Sequence, residues 1–210
     1  MSLHVPAIMI SQSSKRRAIL VVARGDCNRT DERSRGGRVR RLYLMRHGKA
    51  EAGMPPGGGD RERALVERGR RESRHMGAFC REQTLPPTLI LCSPARRTLE
   101  TAESFREGFG ESLPQKVSDG IYMGSPGSLL YAIAEAGGSE TGVLVIGHNP
   151  GLHALALALG QRGPGPAYTR LSTRFPTAAL AIFETGIDDW SAFRAESARL
   201  VDFRMAKEFR

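Results

Sequence analysis

This chain is short of cysteine, of aromatic residues and of long apolar runs, and each shortage removes a class of protein. Cys27, Cys80 and Cys92 are the only cysteines in 210 residues, and they form neither a C-x-x-C pair nor an even set. That excludes a disulfide scaffold and a thiolate metal site, and it suits buried thiols in a reducing, cytoplasmic setting. Aromatic residues make up 6% of the chain and do not interleave with its basic N-terminal residues, so no base-stacking platform is written there. The longest apolar stretches are strand-sized, well below the ~20 residues of a membrane-spanning helix. Ala18–Ala23 is short for the apolar core of a signal peptide, and acidic residues interrupt the segment against a transit-peptide reading. Acidic charge is scarce at this end: residues 1–41 carry ten Lys and Arg against Asp26, Asp31 and Glu32. The rest of the chain carries 21 basic and 19 acidic residues, so the net charge of +9 belongs mainly to that end. A basic tail of this kind could touch nucleic acid or anionic lipid, but without interleaved aromatics it reads as a solvated extension, and a nucleic-acid partner is not expected.

What is present describes one ordinary globular domain, with 40% hydrophobic and 25% charged residues. Residues 1–39, rich in Arg, Ser and Gly, read as a disordered extension, and residues 40–210 as the domain. Strands are expected at Arg41–Arg46, Thr88–Cys92, Lys116–Val117, Gly142–Ile146 and Ala178–Phe183, with a last pairing of 190–194 and 199–203. Helices are expected over 65–83, from Ser93-Pro94 onward, from Ser125-Pro126 to Ala136, and over 150–159. The alternation of strand and helix predicts a three-layer α/β/α sandwich with a mostly parallel central sheet and late antiparallel strands.

Three of the expected strands end in related chemistry: Arg46-His47-Gly48, then Ser93-Pro94-Ala95-Arg96-Arg97, then Gly147-His148-Asn149. Parallel strands bring such ends to one rim of the sheet. Two guanidiniums and two imidazoles around one point suit a phosphoryl group, with donors for its oxygens and a nitrogen nucleophile for phosphorus. His75 lies in a charged helical segment, and His153 reads as packing or surface.

The ordered set Arg46-His47-Gly48, Ser93-x3-Arg97-x3-Thr101 and Gly147-His148 resembles the histidine phosphatase superfamily, which is phosphoglycerate mutase-like in fold. The compact domain is similar to its SixA-type phosphohistidine phosphatase branch. Glu62-Arg63-Ala64-Leu65-x3-Gly69 and Phe175-Pro176-Thr177-Ala178-Ala179 resemble further segments of that branch. The resemblance spans about residues 41–203. It implies that His47 is the nucleophile, that Arg46 and Arg97 clamp phosphate, and that His148 is the second histidine of the pocket. It implies hydrolysis in two steps through phospho-His47, without metal or organic cofactor. The substrate would be a phosphorylated protein bearing phosphohistidine or a small phosphate ester, with no membrane partner.

The general acid is the weak place. SixA-like proteins lack the usual carboxylate, which suits a phosphoramidate whose leaving imidazole departs readily. Glu51 heads the substitutes here, followed by Asp60 and Glu62. A small-molecule phosphomonoesterase and a non-catalytic phosphoprotein-binding module are the alternative readings.

Overall fold

The computed structural model describes residues 37–161 and 165–209. The expected N-terminal extension, with Cys27, therefore falls outside the described residues up to residue 36. Six strands form one sheet: β1 (Val39–Arg46), β2 (Leu89–Cys92), β3 (Gln115–Val117), β4 (Gly142–Gly147), β5 (Leu180–Gly186) and β6 (Ala198–Arg204). Their spatial order is β3-β2-β4-β1-β5-β6. Pairing is parallel from β3 across to β1, and antiparallel at β1–β5 and β5–β6.

The strands read as unbroken apolar runs because both faces of the sheet are covered. Tyr43, Met45, Ile90, Cys92, Leu144 and Ile146 point to one side, where they meet Met76, Cys80, Ala102 and Phe105. Those partners come from α1 (Glu67–Arg81) and α2 (Arg96–Phe109). Leu42, Leu44, Leu91, Val143 and Val145 point to the other side, toward α3 (Pro126–Gly137), α4 (Gly151–Gly160) and α5 (Pro166–Thr173). Side chains alternate faces along a strand, so neighbouring residues feed opposite cores. The three-layer α/β/α sandwich with a mostly parallel sheet is the architecture observed.

Three local readings change. Ser93-Pro94 does not start α2, which begins at Arg96 with Ala95 as N-cap. Residues 190–192 form a 3-10 turn instead of strand. Asp189 accepts the Ser191 N–H, and the Trp190 ring packs where a Cβ on Gly137 would sit, 2.4 Å away. Helix α5 stands in a stretch to which the sequence reading assigns no element; of its residues only Leu171 is buried, with Ala167 and Tyr168 packed partly against the core.

Register places the chemistry. Arg46 pairs with Gly147, and Cys92 with Ile146, so the residues that follow these three strands emerge side by side. The ladder continues one step further: His47 N–H donates to Gly147 O (3.1 Å) and Ser93 N–H to Ile146 O (3.2 Å).

Candidate active site

The loop after β1 is clamped from two directions. Gly48 and Gly69 approach so closely that a Cβ on Gly69 would lie 2.3 Å from Lys49 O, which seats residues 47–49 against the start of α1. Gly48 N–H donates to Thr101 Oγ1 (3.0 Å), and Thr101 in turn donates to Arg97 O (2.6 Å), tying the loop to the first turns of α2. On the other side Ala178, at φ +56°, donates its N–H to both Arg46 O and His47 O. A left-handed alanine is costly, and here it is held where the backbone of the site is closed.

Within this frame the structure brings together Arg46, His47, Arg97 and His148. The imidazole centroids of His47 and His148 are 5.1 Å apart, and Arg97 Nη2 lies 3.2 Å from His148 Nδ1. His47, Arg97 and His148 are all buried.

Partner chemistry settles both tautomers. His47 Nδ1 lies 2.8 Å from Gly48 O, a group that only accepts, so Nδ1 carries the proton and Nε2 keeps its lone pair. His148 Nδ1 faces a guanidinium, which only donates, so Nδ1 is the acceptor. Its proton therefore sits on Nε2 and is given to Ser93 Oγ, 2.8 Å away. Burial pushes His47 down to about 4; the Gly48 bond opposes this, and the charges of Arg97 and Arg46 add to it. Burial pushes His148 down to about 3, helped by His47 and Arg97 and opposed by Asp60. Both imidazoles are thus neutral at pH 7.

The two guanidiniums are incompletely satisfied. Arg46 Nη1 donates to Phe175 O (3.0 Å), and Asn149 Nδ2 donates to the same carbonyl (3.0 Å). Arg46 Nε and Arg97 Nε are buried with no hydrogen-bond partner, and so is the acceptor Asn149 Oδ1. Buried donors without partners are rare, and here both belong to cations beside the two histidines.

The expected carboxylates divide. Glu51 is exposed; its main chain is engaged, through Ala64 O (3.0 Å) and Arg63 Nη1 (2.7 Å), and no bond holds its carboxylate near His47. Glu62 Oε2 accepts the Gly59 N–H (2.8 Å) on the outside of the loop. Asp60 is the one brought into the site. Its carboxylate accepts from Arg97 Nη2 (2.8 Å), Tyr122 Oη (3.0 Å) and Arg63 Nε (2.9 Å), and its carbonyl accepts from Arg97 Nη1 (2.6 Å). Desolvation pushes the Asp60 carboxyl up, but the bonds from Tyr122, Arg97 and Arg63 outweigh it and hold it at about 2. It is an anion at working pH, with no proton to give.

Sequence reasoning missed Ser93 as a partner of His148, having taken it for a helix cap. It also missed Tyr122, whose ring meets His148 edge-on (centroids 5.5 Å) beneath the Arg61 guanidinium (4.3 Å). His153 serves packing: its Nε2 lies 2.8 Å from Leu171 O, beside Phe175. Among the described residues no three His, Cys, Asp or Glu side chains gather as metal ligands.

Comparison with known proteins matches residues 42–121 to the histidine phosphatase superfamily (branch 1). An uncharacterised protein of Mycobacterium leprae is 31% identical over 166 residues, which are 78% of this chain and all of that protein. Among solved structures, a chain of Agrobacterium tumefaciens named as a phosphohistidine phosphatase SixA is 29% identical, with a TM-score of 0.64. The match covers 79% of this chain and 97% of that one. A chain of Nakamurella multipartitia with the same designation is 25% identical, with a TM-score of 0.69, over 81% and 98% of the two chains.

Proposed function

Given that this chain belongs to the histidine phosphatase superfamily, alongside its SixA-type members, we propose that it hydrolyses phosphohistidine on a protein, through phospho-His47. The observation that carries this reading is the pairing of a fixed lone pair with two unfilled cations. His47 Nε2 is free because Nδ1 is tied to Gly48 O, and the buried Nε–H groups of Arg46 and Arg97 have no partner inside the protein. A phosphoryl oxygen supplies what those donors lack, and an in-line nitrogen nucleophile supplies the bond to phosphorus.

In the first step His47 Nε2 attacks phosphorus and the substrate's leaving group departs; in the second, water releases phosphate from His47. Arg46 and Arg97 take the charge that spreads over the equatorial oxygens, so the reading calls for no metal ion. A phosphoramidate is preferred to an alkyl ester because Asp60 is held as an anion and Glu51 stands at the surface. An imidazole is a far better leaving group than an alkoxide. The cytoplasmic setting is part of the same reading, supported by the two buried free thiols Cys80 and Cys92. No helix among the described residues is long and apolar enough to cross a membrane.

The test is an acid-quench of the full chain with labelled phosphohistidine peptide. An acid-labile, alkali-stable phosphoenzyme is expected, and His47→Ala should abolish it. Wild type without such an adduct, or an adduct that persists in His47→Ala, overturns the reading. Faster turnover of sugar phosphates than of the peptide would select the small-molecule phosphomonoesterase instead. Phosphate binding with no turnover of either would select a phosphoprotein-binding module.

A further inference from the structure

A leaving nitrogen or oxygen needs a proton, and every carboxylate near the pocket is committed or remote. Asp60 is bonded to Arg97, Arg63 and Tyr122; Glu62 serves Gly59; Glu51 is at the surface. Tyr122 gives its own hydroxyl proton to Asp60. His47 is the nucleophile. The remaining titratable group within the cradle is His148.

We propose that His148 is the general acid of the first step and the general base of the second, and that Ser93 is the positioning residue that confines this proton traffic to Nδ1. The proposal rests on the phospho-His47 reading above. Ser93 is fully buried, and its Oγ accepts the His148 Nε2–H at 2.8 Å. That proton is held away from the pocket. The other nitrogen, Nδ1, is an acceptor beside Arg97 Nη2, on the side of the ring where the phosphate clamp stands. Neutral His148 thus turns the lone pair of Nδ1 toward the clamp, where it accepts from Arg97 Nη2; it takes a proton once that N–H turns to a phosphoryl oxygen, its other nitrogen being blocked by Ser93.

The proton then balances. Substrate enters as the phosphoryl monoanion, and its P–OH proton moves to Nδ1, making an imidazolium whose Nε2–H still rests on Ser93. His47 Nε2 forms the new N–P bond as the bond from phosphorus to the leaving atom breaks. The electron pair of the broken bond stays on the leaving atom, which takes the Nδ1 proton, and His148 is neutral again. In hydrolysis the water oxygen forms a P–O bond, the N–P electron pair returns to His47 Nε2, and a water proton passes to His148 Nδ1 and leaves with phosphate. The charges that face His148 are Arg46 and His47 from the β1 end, Arg97 from α2, and Asp60 from the turn at 60–62, with Tyr122 against its edge. A phosphoryl anion among these cations favours the protonated ring that the empty pocket disfavours.

Leaving-group dependence tests this directly. Burst phosphorylation of the full chain would be followed with 2,4-dinitrophenyl, phenyl and methyl phosphate and with phosphohistidine peptide. If His148 only clamps phosphate, His148→Gln slows all of them equally. As an acid, its loss should cost about 10³-fold with phenyl phosphate and about tenfold with 2,4-dinitrophenyl phosphate, whose leaving group needs no proton. Equal loss across the series overturns the proposal, and so does the same selectivity appearing in Tyr122→Phe in place of His148→Gln. The role of Ser93 is read in the wild-type protein by long-range ¹⁵N–¹H correlation of the imidazoles. His148 should show a protonated Nε2 and a bare Nδ1; Ser93→Ala should mix the tautomers and Ser93→Thr restore the single one. A wild-type Nδ1–H tautomer overturns that role. If no substrate phosphorylates wild-type His47, the parent reading fails. If one does but the leaving-group slope is unmoved, only this proposal fails.

Discussion

The two ends of β1 hold the same kind of group and treat it in opposite ways. Near its start Arg40 is buried and its guanidinium is filled by main-chain carbonyls: Nε donates to Ile187 O (3.0 Å), Nη1 to Ser139 O and Glu140 O, and Nη2 to Asp188 O. At its far end Arg46, together with Arg97 across the rim, keeps a buried Nε–H with nothing to meet it. A filled buried cation is a rivet between loops. An unfilled one costs about 1–3 kcal/mol per orphaned donor, which the fold bears at the rim where the two histidines also stand. Residue type is the same at the two ends, and although Arg46 as a whole is only half-buried, its Nε is as closed off from solvent as the Arg97 Nε. What separates structure from chemistry is the presence of unmet hydrogen-bond capacity.

The largest expected effect comes from removing the unfilled cations. Arg97→Gln and Arg46→Gln should each slow single-turnover phosphorylation of His47 by about 10³-fold, the usual scale for losing a charged oxyanion donor. Arg46→Gln should leave the melting temperature nearly unchanged, since Arg46 gives up one bond to Phe175 O, whereas Arg97→Gln should lower it, because the Asp60 carboxylate and carbonyl lose their Arg97 donors. Rapid-quench kinetics and calorimetry on the same samples check this. Ordinary rates in a variant with a lowered melting temperature would make its arginine a second rivet and dissolve the contrast.

Much of that far end can be read from the chain, and the reason is physical. Arg46-His47 and Gly147-His148 follow apolar runs buried on both faces, so their strands are unmistakable, and parallel register does the rest. Arg97 is singled out from Arg96 by the resemblance, whose pattern sets an arginine four residues after Ser93 and four before Thr101. Asp60 and Tyr122 are not legible in the same way. They come from a Gly/Pro-rich loop and a short 3-10 connection without period, and they meet Arg97 and each other only through contacts 37 and 62 residues apart in sequence. Ser93 misleads because Ser-Pro is a common helix opening. Only the position of β4 beside β2 shows that its hydroxyl belongs to His148. The Arg40 end is silent in sequence, since its partners are carbonyls, which every residue has.

Acid should separate the two ends next. His47 and His148, held down to about 4 and about 3, lie below the ordinary value near 6.5. The unfolded chain therefore takes up protons first as pH falls. The stability tied to their neutral state is intact above about pH 6.5 and is lost progressively toward pH 4 and 3. Each contributes a slope of about 1.4 kcal/mol per pH unit in that window. Asp60, held at about 2, adds a further loss only below about pH 4. Urea unfolding at pH 7, 6 and 5 should show this slope in wild type and a flatter one in the His47→Gln, His148→Gln double variant. The Arg40→Met variant should keep the wild-type slope, because no histidine is among the partners of that guanidinium.

The smallest expected effect is the loss of the rivet itself. Arg40→Met removes a buried charge, which recovers its desolvation cost, and strips donors from the carbonyls of residues 139, 140, 187 and 188, which costs more. Glu140 O keeps the Trp190 indole N–H (2.8 Å), so one of the four acceptors stays satisfied. The net change should be about 2 kcal/mol of destabilisation, read by equilibrium unfolding. Phosphorylation of His47 in the variant, measured well below its melting temperature, should stay within about twofold of wild type. Five residues of strand separate the two arginines, and they are paired to β4 and β5. A rate loss as large as that of Arg97→Gln would mean that the start of β1 governs the geometry of its end. A rate left intact in a weakened fold shows that the two ends of one strand can be tuned apart, one for holding the chain and one for holding phosphate.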